Sequence, residues 1–298
     1  MTYSPSVLMI VHDPIVDNQG MRLHQHMGWH NPYNLATQYV SDMALASHGR
    51  VQYQIQQTID APWFPRKIDG FRYEASSYLQ RLRRQDMHHP DGLDYRARLE
   101  QFDLLARHAA GEFDEVWFFS FPYAGEYESI MIGSQAIWCN APPVVVPEAT
   151  GNFVMMGFNF ERDVGCMLEN FGHRVESIME EVYRRTPHTH HYWREFSQYD
   201  AIAPRQSGCG NVHFAPNSRH DYDWGYHASV MSYCDRWRDF PQTIDAPPRT
   251  VDCREWGNGD MRAHHIWWLQ HLPRHAGIVD GVWGDWWHYC MTYDWLKQ

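Results

Sequence analysis

Apolar residues in this chain gather into short continuous runs, and the stretches between them repeat at helical spacing. Ser6-Val-Leu-Met-Ile-Val-His12 and Glu115-Val-Trp-Phe-Phe-Ser120 have the signature of strands buried on both faces. Phe153-Val-Met-Met-Gly-Phe158 is a third run of this kind, and Val51-Gln-Tyr-Gln-Ile-Gln56 alternates as a strand with one wet face does. Leu35 to Ala46 reads as a helix with Leu35, Tyr39, Met43 and Leu45 turned inward, and Gly49 suits a left-handed cap after it. Arg96 to Ala110 reads as another helix that ends before Gly111. Strands alternating with helices predict an α/β layer architecture with a mainly parallel sheet and right-handed crossovers. The pattern covers residues 1–185. Residues 186–298 hold few helical repeats, many Trp and His, and turn signals such as Ala246-Pro-Pro and Gly257-Asn-Gly. They are expected to form an irregular region covering the first and not an independent domain.

The run Glu161 to Arg185 carries two stripes. Val164, Met167, Leu168, Phe171, Val175, Ile178, Met179 and Val182 form an apolar face at three- and four-residue steps. Glu169, His173, Glu176 and Glu180 form a polar face opposite it, spanning about 60° of arc. In a two-layer packing that polar face would be wet. It becomes a site only if another part of the chain covers it, and the Trp- and His-rich region after residue 186 is the expected lid. Gly172, just before His173, is expected to break or kink the helix there.

Composition narrows the choice of chemistry. With 36 acidic against 25 basic residues and a formal net charge of −11, the chain has no basic surface for a phosphate backbone; nucleic acid is not an expected partner. The single Arg-rich stretch, Arg81 to Arg84, does not change this. No apolar run approaches the roughly 20 residues of a membrane span, so no membrane partner is expected and a soluble protein is. The first residues lack the basic start and apolar core of a signal peptide. Six cysteines without a CxxC pair argue against a zinc ribbon, and Cys139, in an apolar setting, reads as an inert thiol. Neither a Gly-x-Gly-x-x-Gly loop nor a Gly-x-Ser-x-Gly elbow is present. Fourteen Trp and 17 Tyr exceed the needs of the core and suit a sugar-binding cleft, where an apolar plate and a polar tip serve together. The pairs Trp267-Trp268 and Trp286-Trp287 are candidate platforms.

His173-Arg-Val-Glu176 puts an imidazole and a carboxylate on one helix face, where they can share a divalent ion. The pair lacks the His-Glu-x-x-His pattern of the common metalloproteases. A catalytic zinc needs a third protein ligand and an open position. His213, in Cys209-Gly-Asn-Val-His213, is the first choice, ahead of His271 and His275. Asn217, His220, Asp221 and Asp223 follow it closely. A competing site lies beyond the carboxyl ends of the strands, at His12-Asp13, Pro122 to Glu128 and Asn159 to Arg162. Glu126 and Glu128 there would supply the paired acid and base that glycoside cleavage uses. A straight helix puts His173, twelve residues beyond Glu161, about 18 Å from the strand ends, so one ion cannot serve both clusters. Other histidine groups, His24 to His30, His88-His89 and His188 to His191, read as surface residues.

The expected function is a divalent-metal-dependent hydrolase, with zinc the expected metal, acting on a glycan or glycoconjugate and, less favoured, a peptide. His173, Glu176 and His213 would hold the metal, and Glu169 or Glu128 would carry protons. Tyr123, Asn217, Asp223 and Trp286 would orient the substrate. The alternatives are a metal-free glycosidase with paired carboxylates at the strand ends and a non-catalytic carbohydrate-binding protein.

Overall fold

The computed structural model describes residues 1–297. In chain order, the elements of the first part are β1 (Ser6–Val11), α1 (Leu23–Met27), α2 (Pro32–Ala46), β2 (Gln54–Asp60), α3 (Ala75–Arg84), α4 (Tyr95–Gln101) and α5 (Leu104–Ala109). β3 (Glu115–Ser120), β4 (Ser129–Gly133), β5 (Val144–Val145), β6 (Asn152–Asn159) and the long α6 (Val164–Arg185) follow. The remainder holds α7 (Tyr192–Ser197), β7 (Val230–Ser232), β8 (Arg249–Val251), α8 (Met261–Gln270), β9 (Arg274–Val279), β10 (Val282–Asp285) and α9 (Trp286–Met291). Contacts divide the chain into two compact units. Unit 1 comprises Met1–Tyr3, Ser41–Gln52 and Phe171–Gln298; unit 2 comprises Ser4–Val40 and Tyr53–Asn170.

Unit 2 is built on a six-stranded sheet of order β2-β1-β3-β6-β4-β5. β2, β1, β3 and β6 pair in parallel, and β4 runs antiparallel to β6. The sheet is therefore mixed but mostly parallel. Strands buried on both faces send alternate side chains to two cores. Leu8, Ile10, Val116, Phe118, Ile130, Met155 and Leu99 of α4 lie in one. On the other face Tyr39 of α2 meets Trp117 and Phe158, each at 5.1 Å between ring centroids. β2 is almost wholly exposed, as its alternating polar sequence requires of an edge strand.

Two expectations need correction here. Leu45 is 55% exposed, because it falls two residues after Met43 and so on the opposite side of the helix from the buried Leu35, Tyr39 and Met43. The single helix expected over 96–110 is two helices, α4 and α5, separated at Asp103, whose φ of 51° no α-helix accommodates.

Unit 1 has short elements, among them two two-stranded antiparallel sheets, β7–β8 and β9–β10. Its interior is aromatic. Trp193, Phe196, Trp237 and Trp286 pack on one another at 5.5–6.0 Å. No helix among the described residues is long and apolar enough to cross a membrane.

Candidate metal centre

Every residue of the apolar stripe of α6 is buried. The polar stripe is largely covered too: Glu169 is buried, and the side chains of His173 and Glu176 are 16% and 26% exposed. Glu180 is exposed and accepts the Trp193 indole N–H. Within unit 1 the cover is the segment from Cys209 to Asp223. Val212 N–H donates to Glu176 Oε1 at 3.0 Å, and the His213 ring meets the His173 ring edge-on, 4.8 Å between centroids.

That segment is held from both sides. Asn211 Oδ1 accepts the backbone N–H groups of His213 and Phe214 at 3.0 and 2.9 Å, a turn that asparagine side chains favour. Gly210 has φ 75°, and a Cβ there would fall 2.0 Å from the Phe214 carbonyl oxygen. Trp268 Nε1 donates to the Gly210 carbonyl at 3.0 Å, and Trp224 Nε1 to the Val212 carbonyl at 3.2 Å. His265 Nε2 also bonds that carbonyl, at 3.1 Å. Tryptophans here serve as buried donors that fix a loop, a use of the indole N–H that the sequence reading assigned to sugars.

Gly172 does not break α6. The helix runs unbroken through it, and a Cβ at that position would fall 2.6 Å from Val212 Cγ2. Its smallness lets the His213 loop lie against the helix. Gly172→Ala therefore costs about 1–3 kcal/mol of stability despite the better helix propensity of alanine. It also displaces His213; chemical denaturation together with zinc titration of the variant checks both effects.

The two imidazoles define the chemistry. His173 Nδ1 lies 3.0 Å from Glu176 Oε2, and His213 Nδ1 lies 2.9 Å from Asp221 Oδ1. A carboxylate at Nδ1 calls for a proton there, which in a neutral ring leaves a lone pair on Nε2. The two Nε2 atoms face each other at 3.1 Å. Two lone pairs at that distance repel unless a proton or a cation lies between them. Two nitrogens on one tetrahedral zinc, each at 2.0–2.1 Å, would stand about 3.3 Å apart. Glu169, expected as a proton carrier, lies one turn before His173 on α6 and is buried.

Another group, Cys234, Asp235 and His271, brings its ligand atoms within 4.8 Å of one another. Its electrostatics are the reverse. Arg249 Nε donates to Asp235 at 2.7 Å, and Arg238 Nε donates to His271 Nε2 at 3.2 Å. His271 Nδ1 is bonded to the Trp267 carbonyl at 2.7 Å. Two guanidiniums already occupy the lone pairs a cation would need, and burial raises the Cys234 thiol pKa.

The other expected residues have bonds or surroundings of their own. Asn217 is 2% exposed and its amide bonds the Tyr226 and Ala228 carbonyls. Asp223 accepts the Arg219 N–H at 3.2 Å. Trp286 is 1% exposed inside the aromatic cluster, with no open face for a ligand. The platform expectation fails for Trp267, Trp268 and Trp287 as well: all are buried, and all sit in helices instead of strands. In unit 2, Tyr123 is exposed and its carbonyl accepts the buried Lys67 ammonium at 2.5 Å. Glu128 accepts the Asn140 amide. Glu126 accepts the Ser120 hydroxyl at 2.8 Å, and burial raises its carboxyl pKa. His24 belongs to the strand ends: its Nδ1 lies 2.5 Å from Asp13 Oδ2, and its side chain is 11% exposed. Asp221, named among the polar groups after His213, was assigned no role from the sequence. Its proximity to His213 in sequence was visible, but nothing in the spacing marked it as the partner of Nδ1.

No known protein family, characterised protein or solved structure gives a match to this chain.

Proposed function

We propose that the chain is a divalent-metal-dependent hydrolase, with zinc the metal and a glycan or glycoconjugate the favoured substrate class. The observation that carries the reading is the pair of facing Nε2 atoms, each ring held at Nδ1 by its own carboxylate. Carboxylates that orient metal-bound histidines in this way are a recurrent outer layer of zinc sites. In this reading His173 and His213 are ligands and Glu176 is an orienting residue. Both Glu176 oxygens are already engaged, one by His173 and one by Val212. Zinc held by these imidazoles would supply a water acidified toward neutrality, which is the chemistry a hydrolase needs. A pair of imidazoles suits zinc above calcium or magnesium, which prefer oxygen alone.

The substrate class rests on a separate feature of unit 1. A cavity of about 330 Å³ is lined by Glu195, Gln198, Gln206, Tyr233, Arg236 and Trp237. Trp237 is buried behind this lining, and the half-buried Tyr233 is its accessible aromatic ring. An aromatic ring beside amide and carboxylate groups matches the hydroxyl-rich faces of sugars.

Elemental analysis of protein purified without a histidine tag is expected to show about one zinc per chain, the stoichiometry of a single site. Hydrolysis of acylated amino sugars, aryl glycosides or peptides should fall on chelation and return with zinc. Zinc-free protein that also fails to take up zinc in titration refutes the reading.

A further inference from the structure

Unit 2 carries polar groups that the metal reading does not use. In the order β2-β1-β3 the chain moves from β1 to one side for β2, and the sheet continues on the other side through β3. Such a reversal opens a crevice beyond the carboxyl ends of the two central strands, where open parallel sheets take ligands. His12 directly follows β1, and Glu126 lies in the loop after β3. His12 Nε2, Glu126 Oε1 and Arg98 Nε are each shielded from solvent without a hydrogen-bond partner. Three such atoms in one neighbourhood are unusual, since buried polar groups are nearly always satisfied.

Arg98 links this neighbourhood to open space. It lines a cavity of about 300 Å³ together with Arg66, Arg72, Ala97, Glu100 and Gln101. Arg98 itself is only 1% exposed, and its one side-chain bond runs from Nη1 to Gln101 Oε1 at 2.6 Å. Burial above all, opposed by Glu126 and assisted by Arg72, lowers its pKa to about 10, so it stays cationic at neutral pH. Arg66 is paired with Asp94 at 2.6 Å. Arg72 has no carboxylate partner among the described residues. The cavity thus gathers three guanidiniums around Glu100, and one of them is buried with an unused donor edge.

We propose that this crevice binds the oxyanion group of a small ligand, a phosphoryl or carboxylate group, with Arg98 on its floor and Arg66 and Arg72 at its rim. Planar guanidiniums match such groups through paired N–H donors, and a buried one gains most from the match. The anion would also screen the like charges that now face one another.

The test uses the full chain, titrated by calorimetry with sodium phosphate and, separately, sodium malonate, at ionic strength held constant with chloride. Saturable binding of either anion is expected, with affinity at least tenfold lower in Arg72→Ala and in Arg98→Lys. A preference for phosphate assigns the phosphoryl class, and a preference for malonate the carboxylate class. Arg72 is exposed, so its variant keeps the test open if the Arg98 variant does not fold. His173→Ala should bind the anion as the parent does, which separates this proposal from the metal reading. If neither anion binds more tightly than chloride, or if Arg72→Ala binds as the parent does, the proposal is overturned.

Discussion

If the chain holds zinc as proposed, replacing His173 by alanine is expected to lower the zinc affinity by roughly a thousandfold, and His213→Ala to do the same. Structural zinc sites bind with about 10–16 kcal/mol, so one ligand carries on the order of 4 kcal/mol. Glu176→Gln and Asp221→Asn fall in a different class. They leave the ligands in place but change what holds each ring, and they should cost about 10–100-fold. Each bonds a different imidazole, so the two effects should nearly add in the double variant. Competition with a chromophoric chelator measures all four. The grading is the informative part: if Glu176→Gln matched His173→Ala, Glu176 would be a ligand, and the assignment of orienting and ligating groups would have to be exchanged. If no variant differed from the parent, the facing imidazoles would be joined by a shared proton and not by a metal.

How much of this was legible beforehand depends on how each element is specified. α6 was legible because it is long and carries two clean stripes, so the apolar face could be read residue by residue. Only its start, at Val164 instead of Glu161, was uncertain in kind. α8 and α9 were not legible. α9 is buried at five of its six positions, and in α8 the buried set includes His264 and His265 and spreads over more than half of the helix circumference, so neither shows a clean amphipathic period. The antiparallel β4 was missed for a related reason: five buried residues between loops are too few to distinguish from any other apolar run. Within the candidate site, His173 and Glu176 could be paired from spacing alone, since three residues in a helix fix geometry. His213 and Asp221 could not be paired that way. They lie in a loop whose path is set by Asn211, Gly210 and the indole donors of Trp224 and Trp268, and those bonds exist only in the folded chain.

Acid should unfold this protein between about pH 5 and pH 4, well above the range in which carboxylates alone would do so, and buried histidines are the cause. His264 is 0% exposed, enclosed by Trp224, Trp256 and Trp267, and neither of its ring nitrogens has a hydrogen-bond partner. Burial, with a smaller push from His265, holds its pKa well below the ordinary histidine value. Burial likewise takes His271 and His12 each down to about 3. In the unfolded chain all three return to about 6.5. A folded pKa below the unfolded one means that the unfolded state binds protons first. The stability these groups allow is intact above about pH 6.5 and is lost as pH falls from there toward 3. At 1.4 kcal/mol per pH unit, His12 and His271 each remove roughly 3 kcal/mol by pH 4, and His264 acts in the same direction, against a total that is typically about 5–15. Tryptophan fluorescence followed against pH measures the transition. His264→Phe fills the same aromatic enclosure without polar atoms, so it should raise stability at neutral pH by about 1–3 kcal/mol and flatten the acid slope. Stability that stayed level from pH 7 to pH 4 would mean that the buried imidazoles take up protons in the folded state as readily as in the unfolded one, and the enclosure of His264 would then be wrong.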